Sequence, residues 1–189
     1  MTELGITPAQ TAGPYLRIGL LRNILTPNVV DPSDPRAIRI RGRLTDSAGD
    51  GVPDGMIETW QANTAGRYHH PADERDDVPL DDGFAGFGRS GTEDDGRFEI
   101  VTVKPGRVPW PEGGLQAPHI GITVFARGLL QRVVTRIYFA DEGPANTQDP
   151  VLKLVPPARR ATLLARPDAD GYRFDIHLQG DDETVFFAI

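Results

Sequence analysis

Short stretches of alternating apolar and polar residues recur along this chain and constrain its fold more than any other feature. In AIRIRGRL (37–44), apolar residues alternate with arginine, which is the period of a strand with one buried face. Similar runs follow at short intervals, separated by turns rich in aspartate, glycine and proline. They are MIETWQA (56–62), RFEIVTV (97–103), HIGITVFA (119–126), VVTRIYFA (133–140), YRFDIHLQ (172–179) and ETVFFAI (183–189). The pattern predicts an all-β fold, either a β-sandwich or a barrel.

Length and composition favour one β-rich domain. The chain has 189 residues, among them 21 glycines and 17 prolines, which favour turns over long helices. We predict a single domain over 1–189, with an extended N-terminal arm over 1–37 and a β-sandwich core over 38–189. One short peripheral helix is predicted over 156–168, and the polar segment 69–95 is predicted to be a long loop.

Charge and cysteine content exclude several classes of function. The chain has 20 Lys and Arg against 27 Asp and Glu, a net charge of −7, which opposes binding to nucleic acid. It has no cysteine, which excludes disulfides, a Cys-based zinc site and a thiol nucleophile. It shows no signal peptide and no run of 18 apolar residues, so neither membrane insertion nor export is predicted. These features predict a cytoplasmic protein.

Two residues flanking one apolar run are candidates for function. Arg127 follows HIGITVFA, where a buried, unpaired guanidinium would be costly. The sequence leaves its partner open: a carboxylate of the same chain, an anionic ligand, or a carboxylate of an adjoining subunit. His119 begins the same run and is by default a structural histidine, because a ligand or catalytic role needs partners. The segment QTAGPYLRIG (10–19) is typical of a loop.

Nearly the whole chain resembles the intradiol ring-cleaving dioxygenases. The matching stretches include QTAGPY (10–15), IETWQANTAGRY (57–68), FAGFGRSGTEDDGRFEIVTVKPG (84–106), APHIGITVFARG (117–128), TRIYFADE (135–142) and GYRFDIHLQG (171–180). The resemblance implies a prealbumin-like β-sandwich. In catalytic chains of this family it also implies one ferric ion, held by two tyrosines and two histidines, and no other cofactor.

Half of that ligand pattern is missing from this chain. By the resemblance, Tyr68 matches the first tyrosine and His119 the first histidine. Val108 stands two residues after KPG, where the second tyrosine is expected, and Gly121 stands at the second position of the H-x-H pair. Two donors do not satisfy a site that needs four protein ligands. We therefore expect these four positions to be vestigial and this chain to hold no metal.

The resemblance further implies that this chain completes the active site of a partner. The partner is a homologous, iron-bearing β subunit that binds the Fe(III), within a large hetero-oligomer. Thr11, Gly13 and Pro14 of the arm are expected to close over the substrate, and Arg127 to project toward it. The implied reaction is cleavage of protocatechuate by O2, between its two hydroxyl-bearing carbons, to 3-carboxy-cis,cis-muconate in aromatic catabolism (the β-ketoadipate pathway).

Two other interpretations are compatible with the same sequence pattern. The first is a stand-alone dioxygenase with an altered iron site, which would hold iron without a partner. The second is a non-enzymatic, prealbumin-like β-sandwich that only binds a ligand. Metal analysis of the chain alone separates the first from our interpretation, and co-expression with an iron-bearing homologue separates the second.

Overall fold

The structure is a computed structural model that describes residue 6, residues 8–21 and residues 28–188. Nine strands lie within these residues and belong to one mixed sheet. They are β1 (Ala37–Thr45), β2 (Met56–Trp60), β3 (Phe87–Gly91), β4 (Arg97–Val103), β5 (His119–Phe125), β6 (Val133–Phe139), β7 (Leu164–Asp168), β8 (Gly171–Arg173) and β9 (Ile176–His177). The all-β fold predicted from the alternation is confirmed.

The alternation in β1 sorts its side chains as the sequence predicts. Ile40 and Leu44 are fully buried. The arginines on the opposite face meet an acidic residue of the neighbouring strand β4. Arg39 and Arg41 lie 2.6 Å and 2.8 Å from the two carboxylate oxygens of Glu99. Cross-strand pairs of opposite charge therefore support the register that places the apolar face inward.

The strand order is β3-β2-β5-β6-β7-β8-β1-β4, and β9 pairs with β1. Strand β7 joins the two halves of this sheet, because Leu164 and Ala165 pair with β6 while 166–168 pair with β8. Both halves bury side chains in one core, to which β1, β4, β5 and β6 contribute Ile40, Ile100, Ile122 and Phe139. The strands thus form one continuous path of pairing around a shared core, and the predicted arrangement in two sandwich layers stays a prediction.

The predicted helix over 156–168 is wrong in type and extent. A 3-10 helix covers Pro157–Leu163, and β7 follows it directly. Residues 157–162 are exposed or half-buried, so the helix itself lies at the surface, and only Leu163 at its end and Ala165 after it are fully buried. Pro167 cannot donate to a helical carbonyl, and pairing with β8 gives this stretch an extended conformation instead.

Three short helices were not predicted. They are α1 (Pro14–Leu21), α2 (Gly143–Gln148) and α3 (Pro150–Leu154). Helix α1 lies within the predicted arm. Farther along that arm, the Val29 amide donates to the Val101 carbonyl over 2.7 Å, which fastens the segment to β4. None of the helices in the described part of the chain is long and apolar enough to cross a membrane.

Two strand predictions also need correction. Strand β3 lies inside the predicted loop 69–95. Its glycine-rich sequence FGRSG lacks the alternation of apolar and polar residues that marks the other strands. The predicted strand over 183–189 is not formed in 183–188, and residue 189 lies outside the described residues. This segment is held by separate bonds instead: Thr184 N–H donates to the His177 carbonyl and Phe187 N–H to the Val134 carbonyl.

A buried carboxylate ties three elements of the fold together. Asp149 is fully buried and caps α3 by accepting from the amides of Val151 and Leu152. It also accepts from the Ala117 amide over 2.7 Å, just before β5, and from the Tyr138 hydroxyl of β6 over 3.2 Å. Its side chain therefore fixes the start of β5 relative to β6.

Asp149→Ala is expected to lower the free energy of unfolding by about 3 kcal/mol or more, because it leaves several buried donors without an acceptor. Urea denaturation followed by circular dichroism measures this change. Asp181→Ala is the control, because Asp181 is exposed, and it should shift stability by less than about 0.5 kcal/mol. Equal stability of the two variants would contradict the role given to Asp149.

Candidate functional site

Tyr68 lies in a loop after β2 that polar side chains hold in place. The carbonyl oxygen of the Asn63 side chain accepts from the amides of Ala65 and Arg67. The amide of Tyr68 donates to Asp73 over 2.8 Å. The ring of Tyr68 stacks on Trp60, the last residue of β2, with centroids 5.8 Å apart and planes 10° apart. These contacts give the phenol a fixed position at the end of β2.

Tyr68 and Val108 line the same cavity. The cavity has a volume of about 650 Å³, and its walls also include Trp60, Arg75 and Gln116. Val108 is buried and presents only methyl groups. The structure thus brings these two predicted positions together, and only one of them carries a donor atom.

His119 and Gly121 lie on β5, two residues apart and on the same face. His119 is 6% exposed, and its Nδ1–H donates to the Ala117 carbonyl over 2.8 Å. Its ring lies 5.7 Å from the ring of Tyr138. Gly121 pairs with Trp60 on β2 and with Arg136 on β6. Because Trp60 also stacks on Tyr68, all four predicted positions lie in one neighbourhood.

Arg136 belongs to this site and was missed in the sequence. One guanidinium nitrogen, Nη1, donates to Gln116 Oε1 over 2.8 Å and to the Tyr138 hydroxyl over 3.3 Å. The available signal was the run VVTRIYF, in which an arginine interrupts a strand of mostly apolar residues. Without the pairing of β5 with β6, nothing in the sequence connects this arginine with Gly121.

The electrostatics of the site oppose ionisation of both retained ligand positions. Burial raises the pKa of the Tyr68 phenol, while the charge of Arg136 acts in the opposite direction. Burial, reinforced by Arg136, lowers the pKa of His119 to about 4. Both side chains are therefore neutral near pH 7.

The residues present do not fit a ferric ion. Valine and glycine offer no donor side chain at two of the four positions, and a guanidinium lies beside the other two. Among the described residues, no group of three or more His, Asp or Glu side chains could hold a metal. A ligand set of one phenol and one imidazole falls short of what a stable iron site requires.

Arg127 lies beyond the other end of β5, in an exposed turn. Sequence reasoning expected an anion to compensate its burial, but the isolated chain leaves it exposed and imposes no such cost. Within residues 8–21 and 28–188, no side chain forms an ion pair or hydrogen bond with it. Its charge is thus available to a group from outside the described chain.

The N-terminal arm reaches this same turn. Gly128 N–H donates to the Thr11 hydroxyl over 2.8 Å. Thr11 and Gly13 line a cavity of about 340 Å³ together with Leu129 and other residues of the 125–132 segment. Pro14 begins α1 immediately after it. Thr11, Gly13 and Pro14 are far from Arg127 in the sequence. In the fold, this N-terminal segment lies next to the turn that carries Arg127.

The two groups of candidate residues lie at opposite ends of β5. His119 is the first residue of the strand and Arg127 follows its last residue by two. Because a strand advances about 3.3 Å per residue, they are roughly 25 Å apart. Arg127 and the arm therefore do not serve the cavity around Tyr68.

The lowered pKa of His119 predicts a pH-dependent stability. Its pKa is about 4 in the folded chain and about 6.5 when unfolded, so the unfolded chain binds more protons between these values. The free energy of unfolding should therefore fall by about 2 kcal/mol from pH 7 to pH 5 because of this residue alone. Urea unfolding at both pH values measures the loss. His119→Gln should abolish it, whereas His70→Gln, at an exposed histidine, should keep it. An unchanged loss in His119→Gln would refute the assignment.

Comparisons with known proteins identify relatives over nearly the whole chain. A family model described as Dioxygenase matches residues 25–180. The protocatechuate 3,4-dioxygenase alpha chain of Burkholderia cepacia is 46% identical, and the match covers 100% of both chains. The beta chain from the same organism is 38% identical over 88% of this chain and 75% of its own length.

A solved structure supports the same relationship at the level of the fold. The dioxygenase domain of a carbohydrate-binding fusion protein from Streptomyces sp. SirexAA-E superimposes with a TM-score of 0.61 at 27% identity. The match covers 82% of this chain and 88% of that domain. The resemblance found in the sequence is confirmed, and the chain belongs to the dioxygenase family that includes the intradiol ring-cleaving enzymes.

Proposed function

We propose that this chain is the alpha-type subunit of a protocatechuate 3,4-dioxygenase, which cleaves 3,4-dihydroxybenzoate with O2 to 3-carboxy-cis,cis-muconate. In this proposal the chain holds no iron. It pairs with a homologous beta chain that binds the Fe(III), and it supplies Arg127 and the N-terminal arm to that chain's active site. The near full-length similarity to an alpha chain, and the weaker similarity to a beta chain, support a two-chain enzyme.

The proposal rests on the contrast between the two ends of β5. One end lacks two of the four iron ligands, and the other carries an exposed cation. At its first end, Val108 and Gly121 have no donor side chains beside Tyr68 and His119. At its other end, Arg127 lies exposed beside Thr11. A chain that catalysed the reaction alone would need the first end intact. A chain that completes a neighbour's pocket needs only the second.

Charge gives Arg127 a specific role. Protocatechuate carries a ring carboxylate in addition to the two hydroxyl groups at which it is cleaved. A guanidinium matches a carboxylate in charge and geometry, and the pairing is stronger once a partner chain excludes water. We propose that Arg127 meets this carboxylate while Thr11, Gly13 and Pro14 close the cleft above the ring.

The finer architecture belongs to the same proposal. The arm over 1–37 would contact the beta chain, and the core over 38–189 would form the β-sandwich layer on which it rests. The short exposed helix α1 would lie at this contact, next to the cavity formed by Thr11 and Leu129. Several alpha–beta pairs would assemble into the complete enzyme.

Replacement of Arg127 tests the charge pairing. In the assembled enzyme, Arg127→Ala should lower kcat/KM for protocatechuate by about tenfold to a hundredfold, the cost of one charge-assisted contact. Catechol, which lacks the carboxylate, should be used about equally by both enzymes. Arg97→Ala removes an arginine whose side chain is 75% exposed on β4 and should leave both substrates unaffected. Equal losses on both substrates would exclude carboxylate pairing.

Removal of residues 1–15 tests the role of the arm. We expect assembly with the beta chain to persist and turnover to fall, because the cleft would then remain open to water. Size-exclusion chromatography measures the first and steady-state oxygen consumption the second. Wild-type kinetics in the truncated enzyme would rule out a closing role. An intact assembly of wild-type chains without any dioxygenase activity would favour the alternative, a non-enzymatic binding module.

A further inference from the structure

Arg136 has no role in the proposed function, yet it lies beside the positions predicted to be vestigial. It occupies the middle of β6, directly opposite Gly121 of β5. Paired residues on antiparallel strands project their Cβ atoms to the same face, about 5 Å apart. The side chain of Arg136 therefore extends on the face where a ligand at position 121 would stand.

The guanidinium is held in place by neutral groups. Nη1 donates to the side-chain oxygen of Gln116 and to the hydroxyl of Tyr138. The nearby carboxylate of Asp149 is occupied by amide donors and by the Tyr138 hydroxyl. Within the described parts of the chain, Arg136 forms no ion pair. Its positive charge is therefore uncompensated by direct contact with a carboxylate.

We propose that Arg136 is a second barrier to iron in this chain, independent of the two missing ligands: its guanidinium, held by Gln116 and Tyr138 and borne on the residue paired with Gly121, places a fixed positive charge beside the positions around which a trivalent cation would have to bind. The inference rests on the proposed function, since it explains how the chain stays free of metal. A cation fixed beside a metal site repels the incoming metal ion directly, although the same charge taken by itself favours the phenolate form of Tyr68.

Space alone does not keep a ligand from position 121. A Cβ atom built on Gly121 meets a single heavy atom within 4 Å, the carbonyl oxygen of Trp60 at 3.3 Å. A small shift of the strand accommodates this contact. A histidine at 121 would then project from the same face of the sheet as Arg136. Restoring the ligands without removing this charge should leave the site unable to hold iron.

Three variants separate the two barriers. The first is Val108→Tyr with Gly121→His, which restores the ligand types. The second adds Arg136→Gln, and the third adds Arg97→Gln instead, which removes an exposed arginine outside the site. Each purified chain is given ferrous salt, exposed to air and freed of loose metal. Iron is measured per chain, and the tyrosinate-to-iron absorption band is recorded in the visible.

We expect the variant with Arg136→Gln to bind roughly one iron per chain and to be coloured. The other two should bind at least about tenfold less, because the guanidinium remains. Equal iron in the first and second variants would overturn the proposal. So would a folded second variant, by circular dichroism, that binds none. Iron in the unaltered chain would instead contradict the proposed function, so the two failures are distinguishable.

A second pair of variants leaves Val108 unchanged. It is needed if Val108→Tyr prevents folding, because Val108 is buried and tyrosine is larger. Gly121→His is compared with Gly121→His plus Arg136→Gln, using Co(II) as the probe of the resulting pair of histidines at 119 and 121. The dissociation constant for Co(II) should be at least about tenfold lower when Arg136 is replaced. Equal constants would overturn the proposal as well.

Discussion

The hydrogen bonding of β5 between β2 and β6 is the constraint on which the rest of the structure depends. It sets His119 beside Tyr138, and it sets Gly121 between Trp60 and Arg136. Asp149 fixes the start of the strand through Ala117 and Tyr138. The same strand leads to the exposed turn at Arg127. A slip of one residue would turn every one of these side chains to the other face.

The two ends of β5 thus carry two different groups of candidate residues. At the end near Tyr68, Val108 and Gly121 offer no donor side chain, and the cavity beside Tyr68 is lined by both apolar and polar residues, with the buried, neutral His119 nearby. At the other end, the exposed guanidinium and the arm remain in place, although the isolated chain offers them no anion to bind. This arrangement supports the proposal that the chain acts as one subunit of a two-chain enzyme.

Much of this architecture could be predicted, because alternation reports one-sided burial directly. The strands from AIRIRGRL and HIGITVFA were located to within a residue or two. Strand β3 could not be recognised, because two glycines in FGRSG remove the alternation of apolar and polar residues. The spacing of apolar residues after Pro156 favours a helix, but Pro167 and the pairing with β8 favour an extended chain. The resemblance to the intradiol dioxygenases also pointed to Tyr68, Val108, His119 and Gly121 as one group. It could not point to Arg136, whose proximity depends on strand pairing and not on spacing along the chain.

The most direct test of the central claim is to locate the iron in the assembled enzyme by anomalous X-ray diffraction at the iron absorption edge. We predict one iron for each alpha–beta pair, bound by the beta chain, with Arg127 of this chain facing it. No anomalous peak should appear between Tyr68 and His119. A fully occupied iron at that position would contradict the claim that this chain has given up the metal and completes its partner's site.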